Sequence, residues 1–246
     1  MNLLEVDDLT VYYGPVRGVS RVSMMVAQGD IVALLGANGA GKSTVLKAVS
    51  GLVKARSGRV SFQGHDLARV PAAQRVRLGL VHVPEGRRIF PALTVRENLQ
   101  LAAFGSGGHR SGRHEQLEAV LGIFPLLGPH LAKLAGMLSG GEQQLLALAR
   151  GMIAGPKLLM VDEPSLGLAP QMVELVYDVL AQVAANGTAV LLVEQNVTLA
   201  FEVTHRAYVL QQGRLVLSGP SQELAGDERV VAAYLGAGTV GAPTGR

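Results

Sequence analysis

A segment that could bind phosphate follows the short apolar run Ile31 to Leu35. It is Gly-Ala-Asn-Gly-Ala-Gly-Lys-Ser-Thr, which contains the spacing Gly, four residues, Gly-Lys-Ser, and a helical pattern comes next. Glycines let backbone N–H groups surround a phosphate, the new helix turns its positive end towards it, and Lys42 adds a full charge. A glycine-rich turn is the alternative, but this context predicts a nucleoside triphosphate site formed by the phosphate loop: Gly36, Asn38, Gly39, Ala40, Gly41, Lys42, Ser43 and Thr44.

Two carboxylates end a second apolar run, Lys157 to Val161. Asp162 would bind Mg²⁺ together with the hydroxyl of Ser43, and Glu163 could polarise a water molecule in line with the terminal phosphate. Strands that end in Asp-Glu are common in proteins. The catalytic interpretation therefore depends on the phosphate loop earlier in the chain.

The signature segment, Leu138 to Gln144, is Leu-Ser-Gly-Gly-Glu-Gln-Gln. Ser139 and Glu142 have the spacing of a capping box at the start of a helix. Capping does not require Gly140 and Gly141, which cost about 1 kcal/mol each relative to alanine inside a helix. Bare N–H groups at a helix start bind anions, so residues 139–143 predict a second phosphate surface. Two such surfaces far apart in one chain indicate a site shared between two chains.

A third polar strand end is Leu-Leu-Val-Glu-Gln-Asn, at Leu191 to Asn196. Ligands of open α/β sheets lie beyond the carboxyl ends of the strands, so Gln195 is expected to face the terminal phosphate. Its amide can donate a hydrogen bond there. By alternation Glu194 and Asn196 point elsewhere, and we expect structural roles for them.

These residues need a parallel sheet to bring them together. Continuous apolar runs of the kind buried on both faces of such a sheet occur at 31–35, 158–161 and 189–193. Earlier β-rich pieces at 3–9, 19–26 and 59–63 predict a small antiparallel layer. Residues 94–154 are helical in pattern apart from a Gly- and Ser-rich loop at 104–112, and a hairpin turning at Gln212-Gly213 precedes the last helix.

The predicted fold is therefore α/β, with an N-terminal antiparallel β layer and a helical subdomain, and its core resembles the RecA-like parallel sheet of the P-loop NTPases. We expect one domain over residues 1–236, with a core at 1–90 and 156–236 and the helical subdomain at 91–155. Residues 237–246 are expected to form a flexible tail.

Composition limits the partners. The 246 residues are 48% hydrophobic and 17% charged, with a net charge of +3 and no cysteine, which excludes disulfides and thiolate metal sites. The basic stretch from Lys54 to Arg88 suits either an acidic partner or, as we favour, a solvated face. No apolar run approaches the roughly 18 residues of a membrane span, and acidic residues interrupt the N-terminus, so we expect a soluble, cytoplasmic chain.

The signature segment, the phosphate loop and Asp162-Glu163 together resemble the ATP-binding cassette (ABC) ATPases, over residues 3 to 236. The resemblance implies ATP and Mg²⁺ as cofactors. It also implies two cassettes clamped head to tail, with ATP between the phosphate loop of one and the signature segment of the other. Tyr13 matches the aromatic residue that stacks on adenine, although Tyr13 could instead belong to the core.

Longer matches resemble the LivF-type subunits of branched-chain amino acid importers: 83–99, 138–150, 162–170, 191–196 and 233–236. This likeness implies a chain on the cytoplasmic face of the membrane, bound to two transmembrane permease subunits through the region around residues 85–99. Its second cassette would be a related, distinct ATPase, although a homodimer is possible in isolation. An extracytoplasmic solute-binding protein would act indirectly, and no nucleic acid is expected.

Three positions depart from the wider cassette pattern. Glu85 stands where Gln approaches Mg²⁺ and water, so it could accept a hydrogen bond from a metal-bound water but could not donate one. Ala169 replaces an Asp, and Gln195 replaces the switch histidine and cannot become cationic. Because the LivF-type pattern includes all three, they indicate the subtype.

We therefore expect an ATPase that energises uptake of a branched-chain amino acid or a related small solute. Lys42, Glu163 and Gln195 are the catalytic candidates, and Ser43, Asp162 and Glu85 the metal-binding ones. Alternatives are a urea or amide importer of the same type, a non-transport ABC ATPase and a regulatory ATP switch. A GTPase or small-molecule kinase would leave the signature segment unexplained.

Overall fold

The computed structural model describes residues 2–105 and 113–235, which form two β-sheets and their flanking helices. The first sheet is antiparallel in the order β2-β1-β4-β5. Its strands are β1 (Asn2–Tyr13), β2 (Val16–Ala27), β4 (Ser57–Phe62) and β5 (His65–Asp66). The predicted N-terminal β layer is confirmed, and β1 and β2 extend beyond the predicted segments.

The second sheet has six strands in the order β10-β9-β3-β8-β7-β6. Five of them are parallel, and the edge strand β10 is antiparallel to β9. The strands are β3 (Ile31–Leu35), β6 (Leu80–Val83), β7 (Leu158–Asp162), β8 (Ala189–Glu194), β9 (Arg206–Gln211) and β10 (Arg214–Pro220). The predicted parallel core and the hairpin at Gln212-Gly213 are confirmed.

Nine α-helices lie in the described part of the chain. They are α1 (Lys42–Val49), α2 (Ala72–Arg77), α3 (Val95–Gly105), α4 (Arg113–Ile123), α5 (Gly140–Met152), α6 (Pro170–Ala185), α7 (Val197–Val203), α8 (Ser221–Leu224) and α9 (Glu228–Leu235). Two short 3-10 helices, Pro125–His130 and Ala135–Met137, separate α4 from α5. Most of the predicted Gly- and Ser-rich loop and the whole predicted tail lie outside the described residues.

The parallel sheet separates two hydrophobic clusters. Along β3, Ile31, Ala33 and Leu35 face a cluster that includes apolar residues of α3, α4, α5 and α6. Val32 and Leu34 face the other cluster, which contains α1 and the inner face of the antiparallel sheet. Because every residue of β3 is buried on one face or the other, the strand has no polar position, which explains its continuous apolar sequence.

The expectation of a solvated face for the basic stretch from Lys54 to Arg88 holds for most of its cations but not for Arg75. Most of its cations are exposed, but Arg75 is 7% exposed. Its guanidinium donates four hydrogen bonds of 2.6–3.0 Å to the carbonyl oxygens of Ala48, Val49, Leu67 and Val70. Arg75 therefore satisfies the carbonyls at the end of α1, since a guanidinium has five N–H groups in a fixed fork.

Candidate nucleotide site

The phosphate loop leaves β3 after Leu35 and ends where α1 begins at Lys42. Gly41 is the N-cap of α1, with φ of 106°, and no side chain caps this helix start. A Cβ atom at Gly41 would lie 2.6 Å from Val19 Cγ1 and 2.9 Å from the Gly18 carbonyl oxygen, so only glycine fits. The first N–H groups of α1 have no carbonyl partner within the helix and are available to an anion.

A cavity of about 600 Å³ opens at this helix start. It is lined by Tyr13, Val16, Arg17, Gly18, Asn38, Gly39, Ala40, Gly41, Lys42, Ser43, Thr44, Glu85, Glu163 and Leu166. Most of the residues predicted from the sequence to bind nucleotide are therefore brought together. Val16, Arg17, Gly18 and Leu166 line the cavity but were not predicted. The first three follow Tyr13 closely in the chain, and this proximity could have indicated them.

Lys42 and Glu163 meet in this cavity. Lys42 is 4% exposed, and its Nζ lies 3.1 Å from Glu163 Oε1. The same Nζ donates hydrogen bonds to the carbonyl oxygens of Gly36, at 2.8 Å, and Ala37, at 3.4 Å. Glu163 has a left-handed backbone conformation, with φ of 48°, and its N–H donates to the Val193 carbonyl at 2.9 Å. A non-glycine residue held in that region is uncommon and is found at functional sites.

Asp162 is the last residue of β7 and is 4% exposed. Burial raises the pKa of its carboxyl group, and a hydrogen bond from Ser43 acts in the opposite direction. Its Oδ1 atom is buried without a hydrogen-bond partner among the described residues. A buried carboxylate oxygen without a partner is costly, and a cation would satisfy it. The pair Asp162 and Ser43 therefore fits Mg²⁺.

Within residues 2–105 and 113–235, no group of three or more His, Cys, Asp or Glu side chains could hold a metal ion. Mg²⁺ in nucleotide sites is held by one or two protein ligands plus phosphate oxygens and water. Glu85 lines the cavity, is exposed and lies close enough to Asp162 to raise its pKa.

Tyr13 is 43% exposed and lines the cavity, so it is not a core residue. It ends β1, opposite Val16 at the start of β2. The turn between these strands therefore presents an aromatic ring beside the phosphate loop. That position is suitable for stacking on a planar base.

Gln195 follows β8, whose last residue, Glu194, is in register with Leu35 of β3. The side chain of Gln195 is exposed, and it is not among the residues that line the cavity. Its backbone N–H donates to the carboxylate of Glu194 at 3.1 Å. The topology thus places Gln195 at the same sheet edge as the phosphate loop, between β3 and β7.

Glu194 is buried, with 1% of its surface exposed. Its carboxylate also accepts hydrogen bonds from the N–H groups of Ser165, at 3.2 Å, and Asn196, at 3.5 Å. Asn196 caps α7 by accepting from the Leu199 N–H. The expectation of structural roles for Glu194 and Asn196 is confirmed, and Glu194 joins the segment after Glu163 to the segment that carries Gln195.

The signature segment begins α5 with both bonds of the predicted capping box. The Glu142 N–H donates to Ser139 Oγ at 3.3 Å, and the Ser139 N–H donates to Glu142 Oε2 at 2.8 Å. This backbone hydrogen bond is the main cause that lowers the pKa of Glu142. None of residues 139–143 lines the cavity of the phosphate loop. The two candidate phosphate surfaces are therefore separate in one chain.

The two glycines of the signature segment also have neighbours that the sequence did not indicate. A Cβ atom on Gly141 would lie 2.6 Å from two atoms of Met172, on α6. One on Gly140 would lie 3.0 Å from Nη2 of Arg87. The close approach to the backbone that these glycines allow was expected of an anion, and it is made in part by side chains of the same chain.

The class of the protein follows from this arrangement. A parallel sheet with a glycine-rich loop between its central strand and a helix, and with Asp162 at the end of a nearby strand, defines a P-loop nucleoside triphosphatase. The sequence model of the ABC transporter family matches residues 19–166. The chain belongs to the ABC transporter family and is one of its ATP-binding, ATP-hydrolysing cassettes.

Comparisons over the whole chain agree with this assignment. The chain is 42% identical to the high-affinity branched-chain amino acid transport ATP-binding protein BraG of Pseudomonas aeruginosa, over 95% of this chain and 100% of that one. It is 36% identical to the probable LivF protein of Archaeoglobus fulgidus, over 83% and 86% of the two chains.

Solved structures show the same fold. The crystal structure of an ATP-binding cassette of an ABC transporter in its ADP conformation matches with a TM-score of 0.87 and 26% identity, over 96% of this chain and 99% of the other. The structure of an ATP-binding subunit of an ABC transporter matches with a TM-score of 0.81 and 30% identity, over 96% of this chain and 97% of the other. No helix in the described part of the chain is long and apolar enough to cross a membrane.

Proposed function

We propose that the chain hydrolyses ATP to drive import of a branched-chain amino acid through membrane-embedded partner subunits. The observation that supports the catalytic part is the meeting of Lys42 and Glu163 beside Asp162 under one glycine-rich loop. The solute class rests on the 42% identity, over nearly the whole chain, to a protein named for branched-chain amino acid transport. No observation favours a urea or amide importer.

In this proposal the phosphates lie against the start of α1. The backbone N–H groups of the phosphate loop and the ammonium of Lys42 bind the outer phosphates, and Tyr13 stacks on adenine. Ser43 and Asp162 would hold Mg²⁺, and Glu85 would accept a hydrogen bond from a metal-bound water. When bound, the metal neutralises charge on the phosphates.

Glu163 orients the attacking water. Its carboxylate is held by the Lys42 ammonium at 3.1 Å and by the fixed backbone at the end of β7. A phosphate that attracts Lys42 frees a carboxylate oxygen to accept a hydrogen bond from the water. Gln195, at the end of the neighbouring strand, donates a hydrogen bond to the phosphate or to the water. Its amide side chain is uncharged at every pH.

A complete site takes two chains. The signature segment lies outside the cavity of its own chain, and the anion-binding start of α5 is suited to the terminal phosphate of a nucleotide held by a partner cassette. ATP thus closes a head-to-tail pair, and hydrolysis reopens it. The second cassette is a related ATPase, with a homodimer possible for the isolated chain.

The permease subunits bind around residues 85–99, on the cytoplasmic face of the membrane, and a solute-binding protein delivers the cargo from outside. The test is to purify the chain with the membrane subunits and the binding protein that accompany it, and to identify the solute bound. Leucine, isoleucine or valine should stimulate ATP turnover of the reconstituted complex. Stimulation by urea or amides alone would contradict the proposed cargo.

A further inference from the structure

The loop that leaves the nucleotide cavity is tied to the start of the signature helix. Glu85 lines the cavity, and two residues later Arg87 donates from Nη1 to Gln143 Oε1 at 3.0 Å. Gln143 itself donates from Nε2 to the Leu138 carbonyl at 3.1 Å. A chain of two hydrogen bonds therefore runs from this loop into the signature segment.

The loop is also held further along α5. Arg150 donates to the Arg88 carbonyl, and its guanidinium lies over the ring of Phe90, 4.8 Å from the ring centre. Gln143 and Arg150 are seven residues apart on one helix, or about 10 Å at the usual rise. Two anchors so separated fix the direction of the loop along the helix.

The backbone of the loop is unusual at this point. Arg87 and Arg88 have φ values of 64° and 50°, both in the left-handed region. Non-glycine residues rarely adopt this conformation unless the surrounding contacts hold them there. The two anchors on α5 are contacts of that kind.

Gly140 fits the same arrangement. A side chain at this position would come within 3.0 Å of the Arg87 guanidinium, which lies across the helix start. Glycine therefore leaves space for Arg87 as well as for an anion. The approach of Arg87 therefore explains why glycine occupies this position, which the capping box alone does not require.

We infer that Arg87 is a positioning residue that couples this chain's own nucleotide cavity to its signature segment. A displacement of Glu85 by nucleotide moves Arg87, and Arg87 moves the start of α5 through Gln143. The inference rests on the proposed function, in which the signature segment serves the nucleotide of the partner cassette. Arg87 would thus connect the two nucleotide sites of the pair.

The test compares Arg87→Ala with Arg88→Ala in the full chain. The control is matched, because both residues have left-handed backbones and so carry a similar backbone cost, and Arg88 contacts α5 through its carbonyl, which alanine retains. Amide hydrogen exchange of residues 138–146 is followed with and without ATP, at a concentration where sedimentation shows single chains. ATP binding to each variant is measured by titration.

ATP should change exchange of this peptide by about three-fold in the wild type and in Arg88→Ala, and leave it unchanged in Arg87→Ala with ATP still bound. An equal response in Arg87→Ala, or no response in the wild type with ATP bound, would overturn the inference. Failure of the wild type to bind ATP would contradict the proposed function and this inference with it.

A double-mutant cycle on ATP turnover tests the contact itself. Arg87→Ala and Gln143→Ala should each lower kcat of the assembled complex by roughly ten-fold, and the double variant should be no worse than either single one. Additive losses would show that the two side chains act independently, against the inference.

Discussion

Replacing Glu194 by alanine should disturb two loops of the nucleotide site together. The carboxylate of Glu194 is 1% exposed and accepts from the N–H groups of Ser165, Gln195 and Asn196 at 3.1–3.5 Å. Ser165 lies two residues after Glu163, and Gln195 lies at the neighbouring strand end. Loss of this acceptor frees both segments at once.

The size of the effect can be worked from these bonds. A hydrogen bond to a charged group contributes about 1.5–3 kcal/mol. Gln195 and Asn196 are exposed, so water can replace their lost acceptor, whereas Ser165 is partly buried. Removing a buried carboxylate also recovers its desolvation cost. We therefore expect a loss of about 2–4 kcal/mol instead of the full sum, which corresponds to a Tm lower by roughly 5–15 °C for a chain of this size.

The assay is thermal unfolding of the full chain together with steady-state ATP turnover. Glu202→Ala is the control, since Glu202 is an exposed carboxylate on the adjacent helix α7. Glu194→Ala should also lower kcat by roughly ten-fold with ATP binding retained, because the two loops lose their common support. A Tm within about 2 °C of the control, with equal kcat, would refute the reasoning.

Three other variants test separate parts of the structure. The pKa of Glu142 is lowered in the folded chain, so its carboxylate stabilises the fold fully above the ordinary pKa of 4.5 and loses this effect as pH falls through the lowered pKa. The difference in Tm between the wild type and Glu142→Gln, measured by circular dichroism, should therefore shrink as pH falls below 4.5. A constant difference would contradict this. Gly41→Ala should abolish ATP binding in titrations, because its Cβ meets two neighbours, and Gly39→Ala, with open space around it, should weaken binding less. Equal losses would contradict the steric argument. Arg75→Met removes four hydrogen bonds, although the Ala48 and Leu67 carbonyls each keep a backbone N–H donor, and it should cost about 3–5 kcal/mol in urea unfolding, against little for the exposed Arg77→Met.

The sequence was sufficient for the elements that carry the site. Continuous apolar runs located β3, β7 and β8 to within a residue, since strands buried on both faces admit no polar positions. The capping box at Ser139 and Glu142 was also predictable, because it depends only on residues three apart.

Contacts between distant segments were not predictable. Arg75 belongs to a basic stretch that suggested a solvated face, yet the folded chain surrounds it with carbonyls from the end of α1 and from residues 67–70. The approach of Met172 to Gly141 and of Arg87 to Gly140 joins residues about 30 and 50 positions apart. Such pairings follow from tertiary packing, and no local pattern marks them.

The most direct test of the account is ATP turnover by the Glu163→Gln variant in the assembled complex, with Glu174→Gln, an exposed carboxylate on α6, as the control. If Glu163 orients the attacking water, kcat should fall by roughly a hundred-fold or more while ATP binding persists, because glutamine keeps the shape but not the basicity. Turnover equal to that of the control would contradict the central claim that hydrolysis depends on Glu163.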